Sequence, residues 1–201
     1  MAYFPMFIDI KNKPCLVIGG GKVAYRKAKV LLDFEAQVYV EAPEILDVIC
    51  SDSRIHIRSK EFSPEDVTGM TLVVAATDDA RLNHQISQIC QQKNIPVNAV
   101  DQIEDCSYIF PSYLRQQDVV AAYSSSGKSP VVTQYLKRQT TDLVTPRLGE
   151  ITALLGSVRE KVQQQVPTEA ERKRIYEELL HQLLESEELP DEEELMWKGT
   201  K

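Results

Sequence analysis

The chain has 201 residues, of which 43% are hydrophobic and 26% charged, and its formal net charge at pH 7 is -7. This composition is typical of a folded protein rather than a disordered or fibrous one. The absence of a concentrated basic surface argues against nucleic acid as a partner. No apolar run approaches the roughly 18 residues of a membrane span, and residues 1–10 lack a cleavable signal. We therefore expect a cytoplasmic protein without a membrane or nucleic-acid partner.

Short apolar runs alternate with longer amphipathic stretches from Pro14 to Val100. This alternation is typical of repeated βαβ units around a parallel sheet. The predicted strands are 15–18, 37–40, 55–58, 72–76 and 97–100. The predicted helices between them are 23–34, 43–50 and 80–93.

The pattern changes after the fifth predicted strand. Residues 108–111 and 119–123 resemble two further strands without a long helix between them, which indicates an antiparallel addition or a dimerising arm. Ser129 and Pro130 then predict the start of a helix that runs to about residue 138.

The end of the sequence is predicted to be helical. Beyond Pro146, an apolar stripe from Ile151 to Val162 predicts one helix, and Thr168 with Glu171 predicts the capping box of a second. An acidic run then occupies much of residues 185–201. We therefore predict three segments: a nucleotide-binding domain at 1–113, a dimerisation segment at 114–145, and a helical domain with an acidic tail at 146–201.

A glycine-rich turn joins the first predicted strand to the first predicted helix and matches G-x-G-x-x-G/A. Gly19 permits the tight turn, Gly21 lets the backbone approach a pyrophosphate, and Ala24 allows the helix to pack closely on the strand. The amides of Lys22 and Val23, at the helix start, then face the phosphates. The α/β pattern and this turn together predict a Rossmann-like parallel sheet that binds a dinucleotide. The alternative is a purely structural strand-to-helix turn.

An acidic residue about 20 positions further along is expected to bind the adenosine ribose. Glu41, at the end of the second predicted strand, has that place and favours NAD over NADP. The turn that follows would pass beside the same ribose, which adds Pro43 and Glu44 as candidate contacts. Alternatively, Glu41 is an ordinary surface acid.

Polar residues also follow the fourth predicted strand, at the sheet edge where open α/β proteins bind ligands. Thr77 is therefore a candidate for the nicotinamide side of the site. Asp78 and Asp79 have an equally simple explanation, which is that one of them caps the next helix.

The four cysteines are widely spaced and form no Cys-x-x-Cys pair. His56 lies in a predicted strand and His84 in a predicted helix, so they form no recognisable metal-binding pair. We predict reduced thiols and no resident metal.

Several segments, in their order and spacing, resemble the precorrin-2 dehydrogenase and sirohydrochlorin ferrochelatase family over nearly the full length of the chain. They are FPMF at 4–7, VIGGGKVAYRK at 17–27, AATDD at 75–79, VNAVD at 97–101 and SSGKSP at 125–130. The resemblance implies NAD-dependent oxidation of precorrin-2 to sirohydrochlorin by a homodimer. Some members of that family also insert ferrous iron.

The resemblance also implies roles for two residues. The family's acid in Asn-x-x-Asp falls on Asp101, a plausible acceptor for the proton that the macrocycle loses. The family's serine near the tetrapyrrole falls on Ser129. The structural alternatives are a capping or salt-bridging carboxylate for Asp101 and an N-cap for Ser129.

A substrate rich in carboxylates requires local positive charge. Lys128, beside the serine-rich turn, is the first choice, although each candidate taken alone resembles a solvated surface cation. The other candidates are Arg26, Lys27, Arg115, Lys137 and Arg138.

The sequence departs from the family pattern at the three serines before Gly127 and in the acidic run at the end of the chain. These departures leave metal insertion open as an additional activity. Two rival functions remain: an enzyme of the same scaffold that is mainly a metal chelatase, and a non-catalytic NAD-sensing module.

Overall fold

The computed structural model describes residues 3–191 and residue 195, which divide into two compact units between Phe110 and Pro111. The predicted division into three segments, with its first boundary after residue 113, remains a prediction. No helix in the described part of the chain is long and apolar enough to cross a membrane.

The first unit is built around a five-stranded parallel sheet with the strand order β3-β2-β1-β4-β5. The sheet confirms the predicted Rossmann-like α/β fold. The strands are β1 Pro14–Ile18, β2 Gln37–Glu41, β3 Ile55–Arg58, β4 Leu72–Ala75 and β5 Val97–Ala99. The helices between them are α1 Lys22–Asp33, α2 Asp47–Cys50 and α3 Ala80–Gln92.

Helices cover both faces of this sheet, which explains why its central strands are continuous apolar runs. On one face, Ala24, Ala28 and Leu31 of α1 pack on Val17 and Val74. On the other face, Ile86 and Cys90 of α3 pack in a separate cluster of buried side chains. Because the strands are parallel, their carboxyl ends lie together at one edge of the sheet.

Two predicted elements of the first unit are wrong. The second helix begins at Asp47 rather than residue 43, because residues 43–46 form a turn whose Leu46 amide donates to the carbonyl of Gly20. Residues 108–111 do not form the predicted strand, and the next strand begins at Ser112 instead. Their aromatic side chains instead pack on the cluster beneath α1, and the hydroxyl of Tyr108 donates to the Val73 carbonyl.

The second unit begins with an antiparallel hairpin, β6 Ser112–Gln116 and β7 Val119–Tyr123. Four helices follow in the described residues: α4 Pro130–Thr140, α5 Pro146–Ser157, α6 Arg159–Gln165 and α7 Glu169–Glu185. The predicted single helix after Pro146 is therefore interrupted at Val158, although its apolar stripe is retained. Thr168 caps α7 as predicted, with its hydroxyl oxygen accepting from the Glu171 amide.

Side chains from α5 hold the helical part of the second unit together. Ile151, Leu179 and Leu183 are buried in one cluster. Arg147 donates to the carbonyls of Leu183 and Ser186, which closes the C-terminal end of α7. At Gly149, an added Cβ would lie 2.9 Å from the Gln116 carbonyl oxygen, so α5 can touch the end of β6 only because no side chain is there.

The predicted acidic run at the end of the chain is only partly described. Residues 192–194 and 196–201 lie outside the described residues.

Candidate functional site

The glycine turn connects β1 to α1 at the carboxyl edge of the sheet. Gly19 has a φ of 131°, and a Cβ at this position would lie 2.3 Å from the Ala76 carbonyl oxygen. Gly19 is therefore required both by its backbone conformation and by the closeness of the loop after β4. Ala24, in the first turn of α1, is fully buried, as its predicted packing role requires.

Gly20 was not singled out by the sequence motif, yet it has the tightest surroundings of the three glycines. A Cβ on Gly20 would lie 1.9 Å from the carbonyl oxygen of Glu44. The loop after β2 is therefore packed directly against the glycine turn. The middle position of a G-x-G motif carries no sequence requirement, so only the structure reveals this contact.

Gly21 is different, because no heavy atom counted as a neighbour lies within 4 Å of the position its Cβ would occupy. It is the exposed N-cap residue of α1, and no side chain caps that helix end. The amide groups of the first helical turn, which includes Lys22 and Val23, have no partners within the helix. Open space beside free amides fits the approach of an anionic pyrophosphate.

The loop after β4 is held by a buried asparagine. Asn83 of α3 accepts from both the amide and the hydroxyl of Thr77, at 3.2 and 2.8 Å, and its Nδ2 donates to the Thr77 carbonyl at 3.1 Å. The Thr77 hydroxyl is thus part of the loop's internal structure. Asp79 accepts from the amides of Arg81 and Leu82, which confirms the alternative prediction that an aspartate caps this helix.

Glu41 ends β2, as the ribose-binding prediction requires, but its carboxyl group is enclosed. The residue is 0% exposed, and the Arg58 guanidinium and the Lys60 ammonium each lie 3.6 Å from Oε2. Lys60 also pairs with Asp66 at 2.5 Å. Neither carboxyl oxygen of Glu41 accepts a hydrogen bond from the residues that the structure describes.

This enclosure changes the acid–base behaviour of the cluster. Burial raises the pKa of Glu41 to about 7, and the adjacent Asp66 carboxyl adds to the effect, while Lys60 and Arg58 oppose it. Burial also acts to raise the pKa of Asp66, but hydrogen bonds from Lys60 and the Ser63 amide outweigh it and lower the value to about 2. Glu41 is therefore the buried member of a cluster of charged side chains that also contains Arg58, Lys60 and Asp66.

The turn that follows Glu41 is open to solvent. Pro43 and Glu44 are both exposed, and their backbone is fixed against Gly20. Glu44 is therefore an exposed acid beside the glycine turn, whereas the carboxyl group of Glu41 is enclosed. The assignment of Glu41, Pro43 and Glu44 to the cofactor remains a prediction.

Asp101 follows β5 at the same edge of the sheet. It has a left-handed backbone with a φ of 59°, and its side chain is exposed. This conformation is uncommon for a residue other than glycine and is often found at functional sites. The Asp101 carboxyl group makes no hydrogen bond or ion pair to the residues that the structure describes, so neither structural alternative for it is seen there.

A buried thiol fixes the loop that carries Asp101. Cys106 lies at the end of the 3-10 turn Ile103–Asp105, where its Sγ donates to the Ala99 carbonyl and accepts from the Ala99 amide, each at 3.2 Å. Gln102 adds a hydrogen bond from its Nε2 to the Ala80 carbonyl at 3.0 Å. All four cysteines are free, and within residues 3–191 and 195 no cluster of three side chains could hold a metal.

The predicted substrate residues lie in the second unit. Ser129 is the N-cap of α4, with its hydroxyl oxygen accepting from the Val132 amide, so the structural alternative for this residue is confirmed. Lys128 is exposed, and the guanidinium of Arg115 donates to the Gln117 carbonyl. The cofactor candidates and Asp101 all belong to the first unit, where they share one edge of the sheet.

Sequence comparison with protein families gives two matches. Residues 6–112 match the family described as "Putative NAD(P)-binding", and residues 147–195 match the "Sirohaem synthase dimerisation region". The first match covers more than half of the chain and contains every predicted cofactor residue. It confirms the class of cofactor.

Curated relatives give a consistent result. A siroheme synthase of Mannheimia succiniciproducens is 39% identical over 184 residues, which is 90% of this chain and 39% of that protein. Siroheme synthase 3 of Aeromonas hydrophila is 40% identical over 183 residues, again 90% of this chain and 39% of the relative. The chain therefore spans about two fifths of the length of these relatives.

A solved structure shares the fold of the whole chain. The protein named "SirC, precorrin-2 dehydrogenase" superposes with a TM-score of 0.79 at 20% identity, covering 98% of both chains. From these matches, the chain belongs to the NAD(P)-binding family, and it carries that family's domain together with the dimerisation region of the sirohaem synthases.

Proposed function

We propose that the chain oxidises precorrin-2 to sirohydrochlorin with NAD as the hydride acceptor. In the balanced reaction, precorrin-2 and NAD⁺ give sirohydrochlorin, NADH and a proton. The observation that carries the proposal is Asp101, which is exposed, has no partner among the described residues, and lies in a left-handed conformation at the edge that carries the glycine turn. The names of the siroheme synthase relatives and of the structural neighbour support the choice of substrate.

The chain's own residues have distinct tasks in this proposal. The turn from Gly19 to Gly21 and the amides of Lys22 and Val23 hold the pyrophosphate. The exposed Pro43–Glu44 turn contacts the adenosine ribose. Glu41 supports the glycine turn from within the fold, since its backbone carbonyl accepts from the Gly19 amide at 2.8 Å. Bound NAD supplies the chemistry of hydride acceptance.

Asp101 is the proposed catalytic residue, and its task is to accept the proton that the macrocycle releases. A carboxylate without a competing partner in the described residues is free to do this, and its fixed backbone limits where it can move. Thr77 lines the nicotinamide side by van der Waals contact, because its amide, hydroxyl and carbonyl are all hydrogen-bonded to Asn83. The substrate residues proposed from the second unit are Ser129, Lys128 and Arg115.

We also propose that the protein acts as a cytoplasmic homodimer. The match to a dimerisation region over residues 147–195 supports the dimer. The same match and the relatives' names support a tetrapyrrole as the class of substrate.

The decisive experiment is an assay with purified protein, precorrin-2 and NAD. We expect sirohydrochlorin absorption and NADH to appear together in equal amounts. Asp101→Asn should lower kcat by about 100-fold or more, as loss of a general base does, while NAD binding is unchanged. A product yield no higher than that without protein would reject the dehydrogenase, and full turnover by Asp101→Asn would reject the role of the acid.

The same assay separates the rival functions. A non-catalytic NAD-sensing module would bind NAD but produce no NADH. A chelatase would instead consume sirohydrochlorin when a divalent metal ion is added, at a rate above the control without protein.

A further inference from the structure

A lysine of α1 has surroundings that the cofactor does not explain. Lys27 is half-buried, and its ammonium nitrogen lies 3.9 Å from the centroid of the Phe110 ring. Within residues 3–191 and 195 it makes no hydrogen bond and no ion pair. A partly desolvated cation whose only described close partner is an aromatic ring lacks the anion that usually accompanies a buried charge.

The position of Lys27 is fixed by packing on both sides. Ala24 and Ala28, which flank it on α1, are buried in the same cluster against which Val100 and Phe110 pack. Val100 immediately precedes Asp101. The helix face next to Lys27 and the residue before the candidate catalytic acid therefore contribute to the same apolar cluster.

Electrostatics place Lys27 near that acid. Desolvation lowers the pKa of Lys27 to about 8, and the neighbouring Arg26 adds to this, whereas Cys106 and Asp101 act in the opposite direction. Asp101 is thus close enough to influence the ammonium group, yet the two do not form an ion pair. The Lys27 ammonium and the Asp101 carboxylate, neither of which has a hydrogen-bonding or ionic partner among the described residues, are therefore both available to a ligand.

We propose that Lys27 binds a carboxylate of the tetrapyrrole and thereby positions the macrocycle against Asp101. This inference rests on the proposed function and adds a substrate-anchoring residue from the first unit. The ammonium donates a charge-assisted hydrogen bond to an acidic side chain of the substrate. The Phe110 ring holds the lysine side chain in place before the substrate arrives.

The test is equilibrium binding of sirohydrochlorin, followed by the change in its absorption spectrum without NAD. Lys27→Met should weaken this binding by about tenfold or more, the usual effect of losing a charged hydrogen bond. Lys27→Arg should retain most of the affinity. Affinity for NAD, measured separately by calorimetry, should remain within about twofold in both variants because no cofactor contact is removed.

The chain offers a matched control. Lys29 lies on the same helix, and its ammonium nitrogen is 4.7 Å from the Tyr25 ring centroid, but the residue is exposed. Lys29→Met should bind sirohydrochlorin as the unmodified protein does. An equal loss in Lys29→Met and Lys27→Met would overturn the proposal, since it would show a general effect of surface charge.

The pH dependence provides a second readout that a structural role would not change. Affinity of the unmodified protein for sirohydrochlorin should fall as pH rises above about 8, where Lys27 loses its proton. In Lys27→Arg this fall should disappear, because arginine stays charged. This comparison also serves if Lys27→Met does not fold.

The failure of this inference differs from that of the proposed function. If the unmodified protein binds sirohydrochlorin through Lys27 but does not oxidise precorrin-2, the dehydrogenase assignment fails and the anchoring role stands. If oxidation proceeds and Lys27→Met binds sirohydrochlorin normally, the anchoring role is wrong.

Discussion

At the scale of single residues, the three consecutive glycines have separate requirements. Gly20 contacts the loop after β2, whereas Gly21 faces open space. We predict that Gly20→Ala lowers the free energy of unfolding by about 1–3 kcal/mol, the usual cost of forcing an atom into a packed site, and weakens NAD binding. Gly21→Ala should weaken NAD binding with a smaller loss of stability, about 1 kcal/mol or less, because alanine is a poorer N-cap residue than glycine. Chemical denaturation and calorimetry would measure both effects, and equal stability losses would contradict this division.

The buried Glu41 predicts an unusual dependence of stability on pH. Its pKa rises from 4.5 to about 7 on folding, so the folded state retains a proton that the unfolded state releases. The free energy of unfolding should therefore decrease as pH rises from about 4.5 to about 7, by on the order of 3 kcal/mol. Above that range this contribution is constant.

Replacing Glu41 by glutamine removes the ionisable group and keeps its size. Denaturation of Glu41→Gln at several pH values between 5 and 8 should show a flatter profile than that of the unmodified protein. The exposed Glu104 provides a control, since Glu104→Gln should leave the slope unchanged. A slope retained in Glu41→Gln would assign the pH dependence to other groups.

Some of these residue properties were accessible from the sequence and others were not. The spacing of Gly19, Gly21 and Ala24 follows from the chemistry of a phosphate-binding turn, so a local motif is enough to find them. The enclosure of Glu41 depends on Arg58, Lys60 and Asp66, which come from β3 and the loop beyond it. No local sequence pattern predicts which distant cationic side chains will lie beside the end of β2.

At the scale of elements, the loop after β4 depends on one side chain of α3. Asn83→Ala would remove three hydrogen bonds to Thr77 and leave polar groups of that residue unpaired. We predict a loss of about 2–3 kcal/mol in the free energy of unfolding, typical of buried unsatisfied groups. NAD binding should weaken as well, because this loop contacts Gly19.

The control for this change is Gln85→Ala, an exposed position on the same helix. It should alter neither unfolding nor NAD affinity. If Asn83→Ala retains full stability, the loop must be held mainly by the glycine contact.

The elements that the sequence predicts best are the apolar strands of the sheet and the helices that begin at a capping residue. All five strands of the sheet lie within about a residue of their predicted bounds, and Ser129 and Thr168 start their helices as expected. Residues 108–111 were misassigned because alternating aromatic side chains suit a strand equally well. The helix break at Val158 was missed because the apolar stripe continues across it.

At the scale of the whole molecule, the match to a dimerisation region makes the oligomeric state a direct test. The described part of α4 exposes large apolar side chains, with Val131 73%, Val132 50% and Tyr135 53% exposed. We predict a dimer in solution. Val131→Glu should raise the dissociation constant of this dimer by about tenfold or more, because burying a charge in an apolar interface is costly. Light scattering at several concentrations would measure the shift.

Phe7, which is 74% exposed in the first unit, is the matched control. Phe7→Glu should leave the dimer intact. A monomeric unmodified protein at micromolar concentration would contradict the homodimer, and equal effects of both changes would remove α4 from the interface.

The glycine at position 149 sets a distance limit within the second unit. Helix α5 rests against the last residue of β6, and even a methyl group at Gly149 would meet the carbonyl of Gln116 at 2.9 Å. Every substitution at Gly149 would therefore place a side chain that clashes with the hairpin or pushes the helix away from it. The distance between α5 and the hairpin thus depends on the absence of a side chain at this position, which leaves the contact with almost no tolerance for mutation.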